Sequence, residues 1–510
     1  MKTWQDSFKA FLHPRVITML FFGFSAGIPL LLIFSSLGLW LREAGVERAT
    51  VTFFSWAALG YSFKFVWAPL VDCLPLPFLT RALGRRRAWI LVSQLAIMTS
   101  ILLMSLTDPS SSLSNLKIMA LAAVMLGFSS ATQDIVIDAY RIESADTDLQ
   151  ALMSSTYIAG YRIGMLVSGA GSLFLAGYLG SEIQAYNYSA WQITYACMAA
   201  VMLIGVATTL IINEPERNRN INIKYSTATY IKFLVIFIIA VTGFILTFVF
   251  TSDLASAWKE SLHSIINNHA IANFLVELLR LAVGVAVAFS LMALSIKVKF
   301  IEQAVIKESY VAPVLDFFQR YGLKLALLLL ALIGLYRISD IVLGVIANIF
   351  FQELGYSKIE IASVVKTFGL FMTIAGGFLG GILSVRFGVI KILFVGALLT
   401  VLTNLLFMLL AIKGYDIGLL YLVISADNLS AGLASAAFVA FLSRLTNISF
   451  TAMQYAIFSS LMTLLPKLIG GYSGSIVENI GYTQFFLVAS LMGLPVLWII
   501  YLANKHLKFE

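Results

Sequence analysis

Two aspartates, Asp134 and Asp138, stand four residues apart near the inner end of an apolar run that begins at about Leu116. Four residues is roughly one helical turn, so both carboxylates lie on one helix face. Lys64, Arg162, Arg337, Asp340, Lys366, Asp427 and Lys467 lie inside other apolar runs. An ionised side chain at the centre of a bilayer costs about 3 kcal/mol on insertion scales, and is kept where it lines a pathway or meets a counter-charge. Neighbouring carboxylates repel when both are ionised, and burial also opposes their charge, so the doublet suits uptake and release of a proton. Asp134 is the first candidate for the proton carrier. Asp138 is second, because it lies nearer the headgroups and has Arg141 three residues on. Cations outnumber acids in this set, which makes an interior suited to an anion. The candidate substrate contacts are Lys64, Gln133, Tyr161, Arg162, Arg337, Asp340, Lys366, Asp427, Asn428 and Lys467. The competing reading for any single charge is a fixed ion pair that orders the bundle.

The elements that must position these groups are membrane spans. The chain has 510 residues, 60% of them hydrophobic and 12% charged, a balance that excludes a soluble globular domain and reads as a polytopic helical membrane protein. The net charge of +8 could suggest a nucleic-acid surface, but the basic residues fall in short loops and at span ends, the pattern of membrane orientation. Cys73 lies at a span edge and Cys197 within a span, so no disulfide framework is expected. His13, His263, His269 and His506 fall in tails or one loop. No metalloprotease, nucleophile-elbow or phosphate-cradling motif is present, and the expectation is neither enzyme nor cofactor nor metal. The first apolar run is a full span in length with no small-residue cleavage site after it, so it reads as a span and not as a cleavable signal.

A span needs about 20 apolar residues. Runs of that length fall at roughly 16 to 40, 51 to 71, 88 to 107, 116 to 140, 151 to 180 and 190 to 212, a first group of six. Two more, roughly 229 to 251 and 271 to 296, follow a polar, basic stretch, and a second group lies at roughly 324 to 352, 358 to 384, 389 to 412, 417 to 444, 450 to 477 and 482 to 503. The prediction is fourteen spans in three parts: residues 1–212, a middle region 213–323 with two additional helices, and residues 324–510. Of the 34 Lys and Arg, 22 fall on the side of the N-terminal tail, 6 on the opposite side and 6 within spans. That bias predicts cytoplasmic termini. Glu277 and Arg280, three apart in the additional pair, are expected to satisfy each other.

The two groups of six read as weak copies displaced by about 304 positions. Gly84 with its basic cluster matches Gly388 and Lys391, Arg141 matches Arg444, Gln150 matches Gln454, and Arg162 matches Lys467. Two six-helix halves with substrate between them near the midplane is the layout of the major facilitator fold. The loop from Asp72 to Gly84-Arg85-Arg86-Arg87 resembles that superfamily's acidic-then-basic signature, with extra residues inserted. Glycines at 160, 164, 169 and 171, at 376, 377, 380 and 381, and at 470, 471 and 474 allow close helix approach. Pro466 is expected to bend its span beside Lys467.

At these residues the sequence resembles the AmpG-type muropeptide permeases. The matching strings are Phe22-Gly23-Phe24-Ser25-Ala26-Gly27-Ile28-Pro29, Phe63-Lys64-Phe65-Val66-Trp67-Ala68-Pro69, Thr132-Gln133-Asp134-Ile135-Val136, Gly160-Tyr161-Arg162-Ile163-Gly164-Met165-Leu166-Val167-Ser168-Gly169 and Lys366-Thr367-Phe368-Gly369-Leu370. Thr132 departs from the family's usual Ser. The resemblance implies proton-driven import of N-acetylglucosaminyl-1,6-anhydro-N-acetylmuramyl peptides and the related disaccharide across the cell inner membrane, linking wall recycling to beta-lactamase induction. The partners expected are therefore muropeptide, protons and membrane lipid. A carrier of the same fold for acetyl-coenzyme A or drugs is the alternative.

Overall fold

The computed structural model describes residues 10–33, 35–46, 61, 63–145, 147–181, 185–215, 227–266, 269–357, 360–470 and 473–507. The protein is all-α and multi-pass, as its composition predicts. Eleven helices among the described residues are long and apolar enough to cross a bilayer. The span expected at 51 to 71 falls largely outside the described residues. Those expected at 271 to 296 and 450 to 477 contain shorter apolar helices, Ala282–Lys297 and Ile448–Leu464.

One compact unit comprises Met1–Asn220 with Phe317–Glu510; the other is Ile221–Asp316. In the larger unit the helices that matter for the site are α1 (Pro14–Ile33), α2 (Ala68–Cys73), α3 (Arg85–Ser105), α4 (Leu113–Ser144), α5 (Thr147–Leu166), α6 (Ala312–Leu335), α7 (Ile338–Glu353), α8 (Gly369–Phe387), α9 (Ile417–Leu445) and α10 (Thr451–Gly470). Their starts follow local chemistry. The Ser112 hydroxyl accepts the Asn115 amide at 3.1 Å to open α4, and Asp416 accepts the Leu419 amide at 2.8 Å to open α9. Each satisfies an amide that the first turn leaves without a backbone partner.

Glycine sets how closely the helices approach. A Cβ at Gly160 would lie 1.9 Å from the Leu20 carbonyl oxygen, and one at Gly23 would lie 2.0 Å from that of Tyr157, so α1 and α5 touch backbone to backbone. In the second half α8 and α9 meet in the same way, with Gly376 against the Leu429 carbonyl and Gly432 against that of Thr373. With little hydrophobic drive between helices in lipid, this close packing carries the association.

The smaller unit is a helical hairpin. Thr227–Phe250 continues through Thr251 into Ser252–Ile266, and His269–Lys297 packs back along both. The Arg280 Nε donates to the Thr251 hydroxyl at 3.2 Å. The Glu277 side chain, expected to pair with Arg280, lies outside the described residues.

Candidate functional site

The two aspartates of α4 have different surroundings. Asp138 accepts a hydrogen bond from Arg141 Nη2 at 3.2 Å and lies 3.8 Å from the Lys64 ammonium, so two cations bracket it. Asp134, also buried, accepts a long hydrogen bond from the Tyr157 hydroxyl at 3.4 Å and lies within electrostatic range of Lys64 and Asp138. It is the less compensated of the pair. Lys64 sits on a short 3-10 segment, Lys64–Val66, between the part of the chain around Tyr61 and α2. Tyr157 and Tyr161, one turn apart on α5, present rings 6.2 Å apart beside Asp134.

In the second half, Arg337 occupies a break where α6 has ended at Leu335 and α7 has not begun. It makes an ion pair with Asp340 and donates to the Ser435 hydroxyl at 2.9 Å. Tyr336 anchors the break from the other side. Its ring stacks on Phe438 at 4.3 Å and its hydroxyl donates to the Leu393 carbonyl at 3.1 Å. Asp427 accepts from Thr403 at 3.4 Å and lies within electrostatic range of Asp340 and Arg337. Arg162, on α5 of the first half, lies within electrostatic range of Arg337 and Asp340. Charged residues on either side of the middle region therefore come within electrostatic range of one another at Arg162.

Three predicted residues stand apart from this group. Gln133 faces α1, where its side-chain oxygen accepts from Ser25 at 3.5 Å while its nitrogen has no partner among the described residues. Asn428 accepts from Thr373 at 2.9 Å across the tightly packed α8–α9 pair, a contact that orders two helices. Lys366 is exposed on a π-helical segment, Ile361–Phe368, that leads into α8. The side chain of Lys467 lies outside the described residues; its neighbour Pro466 does lie within α10.

A second network joins the halves at one end of the bundle. Arg86, fully buried at the start of α3, donates from Nη2 to Asp72 at 2.7 Å, to Glu143 at 2.6 Å and to the Thr451 hydroxyl at 2.8 Å. Its Nε donates to the other Glu143 oxygen at 3.0 Å. Asp72 accepts the Met453 amide at 3.0 Å, placing a carboxylate at the positive end of α10. Beside it Arg141 donates to Ser443 at 2.6 Å and lies over the Tyr455 ring at 5.1 Å. Sequence reasoning singled out Asp72, Arg86 and Arg141 but not Glu143 or Thr451. The available signal for Glu143 was its position five residues beyond Asp138 on the same helix. Thr451 carries none, since it lies 308 positions along the chain from Glu143.

Known proteins resemble this chain over nearly its full length. It is 30% identical over 501 residues to "Putative transporter AmpG 4" of Rickettsia conorii, covering 98% of this chain and 99% of that protein. The chain belongs to the AmpG family. It is also 28% identical over 502 residues to the anhydromuropeptide permease of Escherichia coli strain K12, covering 98% of this chain and 82% of the permease. A family model described as "Acetyl-coenzyme A transporter 1" matches residues 16–271. Solved structures share the fold at low identity. The proton:xylose symporter XylE superposes with a TM-score of 0.58 at 12% identity, over 97% of this chain and 95% of that one. FucP in its outward conformation gives 0.60 at 10% identity, over 97% and 99%. This AmpG-family member therefore has the major facilitator fold, and is a transporter and not an enzyme.

Proposed function

We propose that the chain imports anhydro-muropeptides, the N-acetylglucosaminyl-1,6-anhydro-N-acetylmuramyl peptides and their disaccharide, across the cell inner membrane on the proton gradient, serving wall recycling and beta-lactamase induction. The observation that carries the substrate is the near full-length relation to the Escherichia coli anhydromuropeptide permease.

The unequal surroundings of the two aspartates support proton coupling. With Asp138 held between Lys64 and Arg141, Asp134 is the group whose charge the protein leaves least compensated, and so the one that takes and gives up H⁺. Lys64, Arg162, Arg337, Lys366 and Lys467 are the cationic contacts for substrate. Asp340 and Asp427 balance them, and Tyr161 offers a ring to a sugar; Gln133 and Asn428 hold the helices that carry these groups. The bias of Lys and Arg toward the N-terminal side supports cytoplasmic termini. In that orientation the Arg86–Glu143–Thr451 network lies at the cytoplasmic end. The domain reading that accompanies this is an N-terminal bundle over 1–212, a middle region 213–323 with two additional spans, and a C-terminal bundle over 324–510.

Inside-out or right-side-out vesicles containing the full chain, given labelled anhydro-disaccharide with and without a proton ionophore, test this. Accumulation that the ionophore abolishes supports the reading; uptake of acetyl-coenzyme A in place of the disaccharide overturns it. That second substrate is favoured by the family model matching residues 16–271.

A further inference from the structure

Arg162 and Arg337, from spans on either side of the middle region, lie within electrostatic range of each other. Arg162 stands on α5 five residues before the backbone loosens into a π-helical segment, Val167–Gly171. Arg337 stands in the break before α7. Among the described residues Arg162 has no carboxylate within salt-bridge distance and no hydrogen-bond partner, whereas Arg337 holds Asp340 and Ser435. Both nearby carboxylates serve Arg337: Asp340 pairs with it and Asp427 lies within its electrostatic range, which leaves Arg162 without a contacting carboxylate. In a low-dielectric interior a guanidinium without a contacting carboxylate is unfavourable until an anion arrives.

We propose that Arg162 and Arg337 form a two-sided clamp for one carboxylate of the substrate, with Asp340 as the internal anion that holds Arg337 while the clamp is empty. This rests on the substrate reading above and deepens it.

The chemistry fits a carboxylate in particular. Guanidinium presents a planar fork that binds a carboxylate through two parallel hydrogen bonds, which an ammonium cannot copy. The first turn of α7 begins at Ile338, immediately after Arg337, and no side chain caps it. A helix start there adds favourable potential for negative charge. The Tyr336–Phe438 stack fixes the backbone of the break, so Arg337 is held in place before the ligand enters. Lys64 is not part of the clamp, because Asp138 already occupies it at 3.8 Å. A ligand carboxylate shared by Arg162 and Arg337 would bond one half of the transporter to the other. Substrate entry would then draw the halves together at the depth where the charges meet.

Two carboxylates of an anhydro-muropeptide qualify. The free disaccharide has a lactyl carboxylate; in the peptide-bearing form that group is an amide and the peptide supplies the acid. The test uses the purified full chain and four compounds: the anhydro-disaccharide, its lactyl carboxamide, the anhydro-disaccharide tripeptide, and the tripeptide with its carboxylates amidated. Dissociation constants are measured for wild type, Arg162→Gln, Arg162→Lys and Arg337→Gln. The expected result is a preference for acid over amide of about tenfold or more in the wild type, as charge-assisted bidentate bonding implies. That ratio should fall to near one in Arg162→Gln and Arg337→Gln and be restored in part by Arg162→Lys. Because each ratio is taken on one preparation, partial misfolding of a variant does not alter it. A preference confined to the disaccharide pair assigns the lactyl group, and one confined to the tripeptide pair assigns the peptide. Equal binding of acid and amide by the wild type, or an undiminished ratio in Arg162→Gln, overturns the clamp while leaving the substrate intact. Binding of none of the four overturns the substrate reading and the clamp with it.

Discussion

Lys64 makes its salt bridge to Asp138, at 3.8 Å, and not to Asp134 one turn away. The doublet is thereby divided into a carboxylate held by two cations and a carboxylate whose hydrogen-bond donor is the Tyr157 hydroxyl. Because Lys64 and Arg141 come from different spans, Asp138 also ties those spans together.

Asp134→Asn should abolish ionophore-sensitive accumulation while leaving substrate exchange measurable, since it removes the titrating group and no ion pair. Counterflow and net uptake on the same vesicles measure both. Full accumulation in this variant would remove Asp134 from coupling.

Asp138→Asn should act differently. It leaves Lys64 and Arg141 buried without their shared carboxylate, and removing one partner of a buried pair costs roughly 3 kcal/mol or more. The expected outcome is a lower unfolding midpoint in detergent and reduced yield, read by thermal melting. A melt within a degree of wild type would show that water or another carboxylate replaces Asp138.

Gly160→Ala should prevent assembly or transport, because its added carbon would meet the Leu20 carbonyl at 1.9 Å and backbone cannot retreat from backbone without separating α1 from α5. Gly177→Ala, with nothing within 4 Å of its added carbon, should be indistinguishable from wild type. Comparing the yield and uptake of the two variants checks this.

Glu143→Gln should shift the transporter away from the conformer described here. Arg86 and Thr451 both lose their charged acceptor, and buried pairs of this kind weigh heavily in a two-state balance. Labelling of a cysteine placed at Ser443 by a membrane-impermeant reagent should rise about tenfold or more from the end where Arg86 lies, a change worth about 1.4 kcal/mol. Unchanged labelling would show that Arg86–Asp72 alone keeps that end closed.

Much of this was legible in the chain. Apolar runs gave the spans, because lipid leaves few alternatives to a helix. The ionisable residues inside them stood out for the same reason, and the glycines at 160 and 376 marked helix contacts because only a missing side chain permits that approach. The choice between Asp134 and Asp138 as the partner of Lys64 was not legible. Both carboxylates share a helix face, and which one the ammonium reaches depends on where the 3-10 segment Lys64–Val66 sets its Cα. The break at Tyr336–Arg337 was equally hidden. It contains no proline or glycine and is held by the distant stack on Phe438 and the Tyr336 hydroxyl bond to Leu393. The closure through Thr451 depends on packing between halves, which periodicity within one span cannot report.

Lys64 rides on a 3-10 turn, Arg337 on an uncoiled junction and Lys366 on an overwide π coil. A rod of ordinary α-helix can re-aim a charge only by moving as a whole. These junctions set a charge by a few torsions, independently of the glycine-packed shafts behind them, and at Arg337 the Tyr336 stack on Phe438 locks that setting.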